Sequence, residues 1–261
     1  MIRKIFKRLS NLFSKATTVE EFNIDDLPYR VIDRTNALPF IKDTRDLSFL
    51  YEGRVYAQSS VYIEPDEVTQ PAYTIVQEVI NNWTALFDMQ NALVLGCGGC
   101  TIPRYICRNF DGVKVIGVEL SGKMIEIAKK HFTTPYMGKS FTLLQGDAIK
   151  YVNNYPLPYK QNLIFSDIFC INGVVPESFT QSYLNDLYNC TADNSVIIFN
   201  LLGTEFDEII DFRNKITLGF DIKEILTNGN ARFLLLARGT DKTSLKQFKE
   251  RLSASDTFKL K

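Results

Sequence analysis

Apolar runs that fit β-strands alternate with segments of helical periodicity across the centre of the chain. The strand-like runs are Ala92–Leu95, Val113–Val118, Phe141–Leu144, Leu163–Ser166 and Val196–Asn200. Apolar residues recur at helical spacing in Gly122–Phe132, Ser178–Cys190 and Phe206–Ile216. This alternation predicts an α/β fold in which helices cover both faces of a mostly parallel sheet.

Two further strand-like runs change how this sheet ends. Phe220–Leu226 and Arg232–Arg238 are separated only by residues 227–231, a connection too short for a crossover helix. They therefore predict an antiparallel C-terminal hairpin, which a charged helix from about Lys242 to Leu252 follows.

The first quarter of the chain has a different pattern. Tyr29–Asp33, Leu47–Tyr51 and Arg54–Ile63 are short extended runs, and Glu52-Gly53 supplies a turn between the last two. They predict a small antiparallel sheet. Residues 1–16 place apolar side chains at helical spacing among basic ones, which is typical of a basic amphipathic helix. Such a helix could lie on an anionic membrane, direct the chain to an organelle, or dock on its own domain or on a partner subunit.

Composition narrows the class of protein. The 261 residues are 45% hydrophobic, enough for one α/β domain with a small appendage. Thirty basic and thirty acidic residues cancel, so charge gives no reason to expect nucleic acid as a partner. No apolar run is long enough to span a bilayer, and we expect a cytoplasmic protein. Five scattered cysteines and a single histidine predict neither a disulfide framework nor a metal site, although Cys97 and Cys100 form a C-x-x-C.

The strand Ala92–Leu95 runs directly into a turn of small residues that contains Gly96, Gly98 and Gly99. Glycine lets the backbone bend sharply and approach a ligand, and the helix that follows offers free N–H groups. Glu119 ends the next strand, roughly 20 positions after the first glycine, where it could accept hydrogen bonds from ribose. Thr101 stands where a dinucleotide motif has its third glycine. An adenosine without a diphosphate therefore fits this turn, although such turns also occur as purely structural corners.

Acidic residues also follow the next two strands. Asp147 and Asp167 join Gly96 and Glu119 at strand ends, and ligands of parallel sheets bind beyond those ends. Asp147, with the backbone around Ala148, suits the edge of adenine. Asp167 would lie nearest the reactive end of a nucleoside, where it could attract a cation or accept a proton. Any one of these acids could instead be a helix cap.

Several motifs between residues 45 and 238 resemble the spermidine synthase family, the polyamine aminopropyltransferases, which share the class I S-adenosylmethionine methyltransferase fold. The matching segments are Gly53-Arg54-Val55 with Gln58, the glycine turn up to Arg104, Val118-Glu119-Leu120, Lys129-Lys130-His131-Phe132, Gly146-Asp147-Ala148, and Asp167 with Val175-Pro176-Glu177. The resemblance implies an N-terminal β domain, a seven-stranded Rossmann-like domain and commonly a dimer or tetramer.

The resemblance also implies roles for single residues. Glu119 would bind ribose, Asp147 adenine and Gln58 the nucleoside, while Asp167 would deprotonate the attacking amine. The remaining residues that would contact the nucleoside are Gly96, Cys97, Gly98, Leu120 and Ala148. We accordingly divide the chain into a basic helix (1–16), a β-hairpin domain (25–66), a Rossmann-like nucleoside-binding domain (67–240), and a C-terminal helix and tail (241–261).

Three departures from the family pattern concern the acceptor. Gly99 stands where the family has an aspartate that grips the aminopropyl amine, and Cys170 replaces the second acid of an Asp-Ser-Ser-Asp run. The segment Val68–Tyr73 lacks the Tyr-His-Glu run that binds polyamine. Because a polyamine needs carboxylates to offset its lost hydration, these changes disfavour spermidine synthesis.

Three functions follow as hypotheses. The first is a transferase that binds S-adenosylmethionine and methylates an unknown acceptor, because methyl transfer needs little beyond in-line positioning. The second is an aminopropyltransferase that uses decarboxylated S-adenosylmethionine. The third is a non-catalytic nucleoside-binding protein in which Asp167 is only a cap. We expect a homodimer, no metal, no nucleic acid, and peripheral membrane contact only through the N-terminal helix.

Overall fold

The large sheet of the computed structural model combines parallel strands with an antiparallel edge. The structure describes residues 14–37, 41–64, 67, 69–156, 159–170 and 173–261. The strands of this sheet, in chain order, are β5 (Asn91–Leu95), β6 (Lys114–Glu119), β7 (Phe141–Gln145), β8 (Gln161–Ser166), β11 (Thr191–Asn200), β12 (Ile222–Asn228), β13 (Ala231–Arg238) and β14 (Lys259–Leu260). They lie in the order β14-β12-β13-β11-β8-β5-β6-β7.

The five strands from β11 to β7 pair in parallel, whereas β13 pairs antiparallel with both β11 and β12. The predicted α/β class, the mostly parallel sheet and the antiparallel C-terminal hairpin are confirmed. The sheet also contains an eighth strand, β14, which the prediction of seven strands did not include. It is two residues long and pairs with the outer edge of β12.

Helices cover both faces of this sheet, because buried apolar side chains occur on both sides of its strands. The helices are α1 (Thr74–Thr84), α2 (Thr101–Asn109), α3 (Gly122–His131), α4 (Ala148–Asn153), α5 (Gln181–Cys190), α6 (Phe206–Lys215) and α7 (Lys242–Ser253). Short 3-10 helices cover Pro135–Met137 and Pro176–Phe179, and β9 (Phe169–Cys170) pairs with β10 (Gly173–Val174) after β8. Among the described helices, none is both long and apolar enough to cross a bilayer.

A separate antiparallel sheet precedes this domain. Its strands are β1 (Ser14–Ile24), β2 (Leu27–Asn36), β3 (Thr44–Tyr51) and β4 (Arg54–Tyr62). The strands predicted from Tyr29 onward are present, and β1 lies outside the predicted domain of residues 25–66. The predicted N-terminal helix lies mostly outside the described residues, and its last three positions, 14–16, belong to β1 instead.

The small sheet packs directly on the large domain. Val31, Leu47 and Val61 of the sheet share a core with Met124 and other buried residues of α3 and its C-terminal end. Across the same interface, the Arg104 guanidinium donates to the backbone oxygens of Tyr62 and Glu64. This packing places β4 against the glycine turn and so brings two domains to one site.

Candidate active site at the strand ends

The glycine turn lies between two strand ends that carry acids. Gly96 has a φ of +81°, and a Cβ added to it would lie 2.1 Å from the backbone oxygen of Asp167. The Asp167 amide in turn donates to the Leu95 oxygen at 2.8 Å. Only glycine fits this position, because the conformation and the contact both exclude a side chain. The turn and Asp167 are therefore held side by side.

The Glu119 carboxylate binds the other side of the turn. Its Oε2 accepts hydrogen bonds from the amides of Cys97 and Gly98, each at 3.1 Å, and its Oε1 accepts one from the Ser121 amide at 3.1 Å. An ionised carboxylate offers about four acceptor positions, so one is left for a ligand. Glu119 thus shapes the turn and can still accept a hydrogen bond from a hydroxyl group.

Asp147 lies one strand further out and caps a helix. The amide of the preceding Gly146 donates to the Glu119 backbone oxygen, so the two strand ends adjoin. The Asp147 Oδ1 accepts from the amides of Ile149 and Lys150 at the start of α4, while its Oδ2 lies 3.7 Å from the Lys150 ammonium. The capping role weighed from the sequence is therefore real. Its use of Oδ2 for adenine stays a prediction.

Asp167 is held by two neutral donors. The Tyr73 hydroxyl donates to Oδ2 at 2.7 Å, and the Asn200 amide donates to Oδ1 at 2.8 Å. Burial raises the pKa of Asp167 to about 6, the two hydrogen bonds oppose this rise, and the charge of Glu119 adds to it. A carboxylate with this pKa is ionised at neutral pH and still basic enough to accept a proton.

Strand β4 supplies the wall of the site opposite the turn. Ser59 Oγ accepts a hydrogen bond from the Gly99 amide at 2.9 Å, and a Cβ at position 99 would lie 2.7 Å from the Ser59 Cβ. Position 99 consequently has no room for the aspartate that the resemblance would place there. The neighbouring Gln58 packs near Gly98, and its Oε1 is buried without a hydrogen-bond partner among the described residues. A buried acceptor in this state is suited to a donor from a ligand.

The remaining residues predicted to contact a nucleoside differ in exposure. Leu120 is 70% exposed, which is unusual for a leucine directly beside a buried strand and leaves an apolar surface for a base. Cys97 and Ala148 are buried. A hydrogen bond with Cys100 and burial raise the pKa of the Cys97 thiol, which favours the protonated form of Cys97. The described part of the chain contains no group of three or more His, Cys, Asp or Glu side chains that could hold a metal ion.

A cavity of about 420 Å³ lies beside Tyr73 and Asn200, the two side chains that donate to Asp167. It lies between β4, the start of α1, the end of β11 and the β12–β13 hairpin, and Tyr73 and Asn200 are in its wall. The sequence patterns indicated no functional role for Tyr73, Asn200 or Ser59. Asn200 is the last residue of β11, so it stands at a strand end as the acids do.

The comparisons with known proteins agree on the fold. No protein-family model matches the chain. Over 162 residues, the chain is 19% identical to a polyamine aminopropyltransferase of Neisseria meningitidis serogroup A, and this match covers 61% of the chain and 60% of that relative. The chain thus spans about three-fifths of the length of the curated relative it matches.

Solved structures with the same fold include two kinds of protein. A probable spermidine synthase from Corynebacterium glutamicum superposes with a TM-score of 0.65 at 14% identity, covering 95% of this chain and 90% of that one. Human methyltransferase-like protein 13 in complex with SAH superposes with a TM-score of 0.51 at 16% identity, covering 69% and 89%. The resemblance inferred from the sequence is confirmed: the chain is similar in sequence to a polyamine aminopropyltransferase and shares its fold with a probable spermidine synthase and with a methyltransferase-like protein.

Proposed function

We propose that this protein is a transferase that binds S-adenosylmethionine or a close analogue and transfers its methyl group to a small acceptor. One arrangement carries the proposal. Asp167 and Glu119 flank the glycine turn at neighbouring strand ends, while Gly99 has neither an acid nor space for one. Acidic residues that could serve a bound nucleoside are therefore present, and the acid that would hold an aminopropyl amine is missing.

The residues present fit a nucleoside. Glu119 keeps one acceptor position for a ribose hydroxyl, and Gln58 Oε1 is a buried acceptor without a donor among the described residues. Leu120 offers an apolar face for adenine, and Asp147 Oδ2, beyond its capping oxygen, suits the exocyclic amine. When bound, S-adenosylmethionine supplies a methyl group on a positively charged sulfur.

Asp167 would accept the proton that the acceptor loses. In methyl transfer the bond from carbon to sulfur breaks with its electrons going to sulfur, and the acceptor atom forms the new bond to carbon and loses a proton. Asp167 takes that proton, and Tyr73 and Asn200 keep its carboxylate oriented. Both donors also stabilise the ionised form, which must be present before the reaction begins.

An aminopropyltransferase is the second candidate, because the curated relatives carry that name. It would use decarboxylated S-adenosylmethionine and release methylthioadenosine. Against it stand the missing acid at position 99 and the contact with Ser59 that fills this space. The segment around Cys170, where the family has its second acid, lies at the border of the described residues.

Titration calorimetry with S-adenosylmethionine, SAH and methylthioadenosine tests the nucleoside half. We expect the first two to bind, and Glu119→Gln to weaken binding by roughly tenfold, about 1.4 kcal/mol. Glu126→Gln is the matched control, since Glu126 is an exposed acid on α3 that pairs with Lys123. Absence of binding by all three compounds would refute the proposal.

Turnover separates the candidates. Release of methylthioadenosine from decarboxylated S-adenosylmethionine and putrescine would establish the second candidate. Transfer of label from methyl-labelled S-adenosylmethionine to a panel of hydroxyl and nitrogen acceptors would establish the first, and Asp167→Asn should then abolish most of it. A non-catalytic binding protein would show no turnover on either donor in its unmodified form, and its nucleoside binding would be unchanged in Asp167→Asn.

A further inference from the structure

The cavity beside Asp167 is the place where an acceptor would meet the donor. Gln58 belongs to its wall and also packs near the glycine turn, so the cavity and the nucleoside half share a residue. Tyr73 and Asn200 also line it, and both donate to Asp167. A molecule in the cavity would thus contact the same two side chains that hold the acid.

The described wall of this cavity is polar but uncharged. Its polar lining includes the amides of Gln58, Asn200 and Asn228 and the hydroxyls of Ser60, Tyr73 and Thr74. Ile75, Leu202 and Phe233 are among the apolar residues that complete it. No described residue in the wall carries a charge at neutral pH.

We expect this cavity to bind a cationic acceptor weakly. An ammonium group that leaves water needs a carboxylate or several acceptors in exchange, and an amine of ordinary basicity is protonated at pH 7. Asp167 is not among the described residues that line the cavity, and two of its roughly four acceptor positions are taken by the wall residues Tyr73 and Asn200. Amides and hydroxyls, by contrast, both donate and accept, which suits neutral polar groups.

We propose that this cavity binds an uncharged small molecule that presents a hydroxyl group or a neutral nitrogen as the methyl acceptor. This assignment rests on the proposed function for its chemistry, since it names the substrate class of the same site. The cavity volume of about 420 Å³ agrees with this assignment, because it accommodates a small ligand.

Size-matched probes test the charge preference directly. Ligand-observed NMR at pH 7, with the protein saturated with SAH, would compare benzyl alcohol with benzylammonium and butyramide with butylammonium. We expect the uncharged member of each pair to bind roughly tenfold more tightly, a difference of about 1.4 kcal/mol. Equal or tighter binding of the ammonium members, or no binding by either member, would overturn the assignment.

A charge placed in the wall tests the location. Leu202 is 48% exposed, so Leu202→Asp and Leu202→Asn should both fold, and they differ only in charge. Leu202→Asp should strengthen benzylammonium binding at least several-fold, and Leu202→Asn should not. The same response in both variants, or in neither, would show that the probes bind elsewhere.

Failure here is distinguishable from failure of the proposed function. The NMR comparison can be repeated without SAH, so a preference for uncharged probes can be measured even if calorimetry detects no nucleoside. Conversely, nucleoside binding together with a preference for the ammonium probes would leave the transferase proposal standing and reject only the uncharged acceptor.

Discussion

At the scale of single residues, the chemistry of the site depends on how Asp167 balances burial against two hydrogen bonds. Burial raises its pKa to about 6, whereas the Tyr73 and Asn200 donors stabilise the ionised form. The folded pKa lies above the ordinary value of 3.8, so this residue makes the folded state less stable as pH rises from about 4 to about 6. This loss of folding stability accompanies a carboxylate that is ionised at neutral pH and can act as a base.

The Tyr73 hydroxyl provides the sharpest test of this balance. Tyr73→Phe removes a hydrogen bond to a charged group, worth about 1.5–3 kcal/mol, and should raise the pKa of Asp167 clearly above 6. Carbon-13 NMR of labelled aspartate carboxyl groups, assigned with Asp167→Asn, measures that pKa without any substrate. Tyr183→Phe is the control, because the buried Tyr183 hydroxyl contacts Ser166 instead. An Asp167 pKa that stays at 6 or falls in Tyr73→Phe would contradict the account.

Local sequence patterns identified part of this site and missed the rest for a physical reason. Glu119 ends one apolar strand and Asp167 follows another, and because these strands run parallel, their carboxyl ends lie at the same edge of the sheet. The contact between Tyr73 and Asp167 joins positions 94 residues apart, and the contact between Ser59 and Gly99 joins positions 40 apart. The first pair depends on how distant elements of the large domain pack and the second on how the two domains dock, and no local periodicity records either.

At the scale of elements, the strands and helices with clear apolar periodicity were predictable, and those without it were not. β1 has a single buried residue, Phe22, because it forms the exposed edge of the small sheet. Its sequence therefore lacks the alternation by which a half-buried strand is recognised. β14 is only two residues long and α4 only six, so neither is long enough to show a repeated period.

Besides the buried Phe22, one acid of the edge strand β1 contacts the large domain. Glu20 Oε2 accepts from the Lys130 ammonium at 2.7 Å and lies 2.6 Å from the His131 ring at the end of α3. The hydrogen bonds from Lys130 and then His131 lower the pKa of Glu20 to about 2. This contribution to stability is complete above about pH 4.5 and is lost as pH falls towards 2.

Glu20→Gln should therefore loosen β1 specifically. We expect amide hydrogen exchange in residues 14–24 to accelerate several-fold at pH 7, while exchange in β5 and β8 stays unchanged. Glu21→Gln is the matched control, because Glu21 is the next residue in β1 and its carboxylate pairs with the exposed Arg30 of the same sheet. Equal acceleration in both variants would assign the effect to the strand surface and not to the contact with α3.

At the scale of the whole molecule, the two sheets form one unit around the site. The core of the small sheet includes Met124, Ile127 and Phe132 of the large domain. Gln58 and Ser59 of β4 in turn contribute to the wall opposite the glycine turn. A site built from both domains exists only while they are docked, so ligand binding and docking should be linked.

We therefore predict that both sheets unfold in a single transition, although chains of this length with two sheets commonly unfold in steps. Trp83, the single tryptophan, is buried in α1, so its fluorescence reports on the large domain. Hydrogen exchange of β2 and β3 reports on the small sheet. The midpoints in urea should coincide, because exposing the small sheet alone would also expose the shared core of Phe132 and Ile127. Arg104→Met, which removes the donor to Tyr62 and Glu64, should separate the two midpoints, with the small sheet unfolding first. A small sheet that opens in the unmodified protein well before the Trp83 transition would mean that the two domains dock only weakly, and that the wall formed by β4 assembles when a ligand binds.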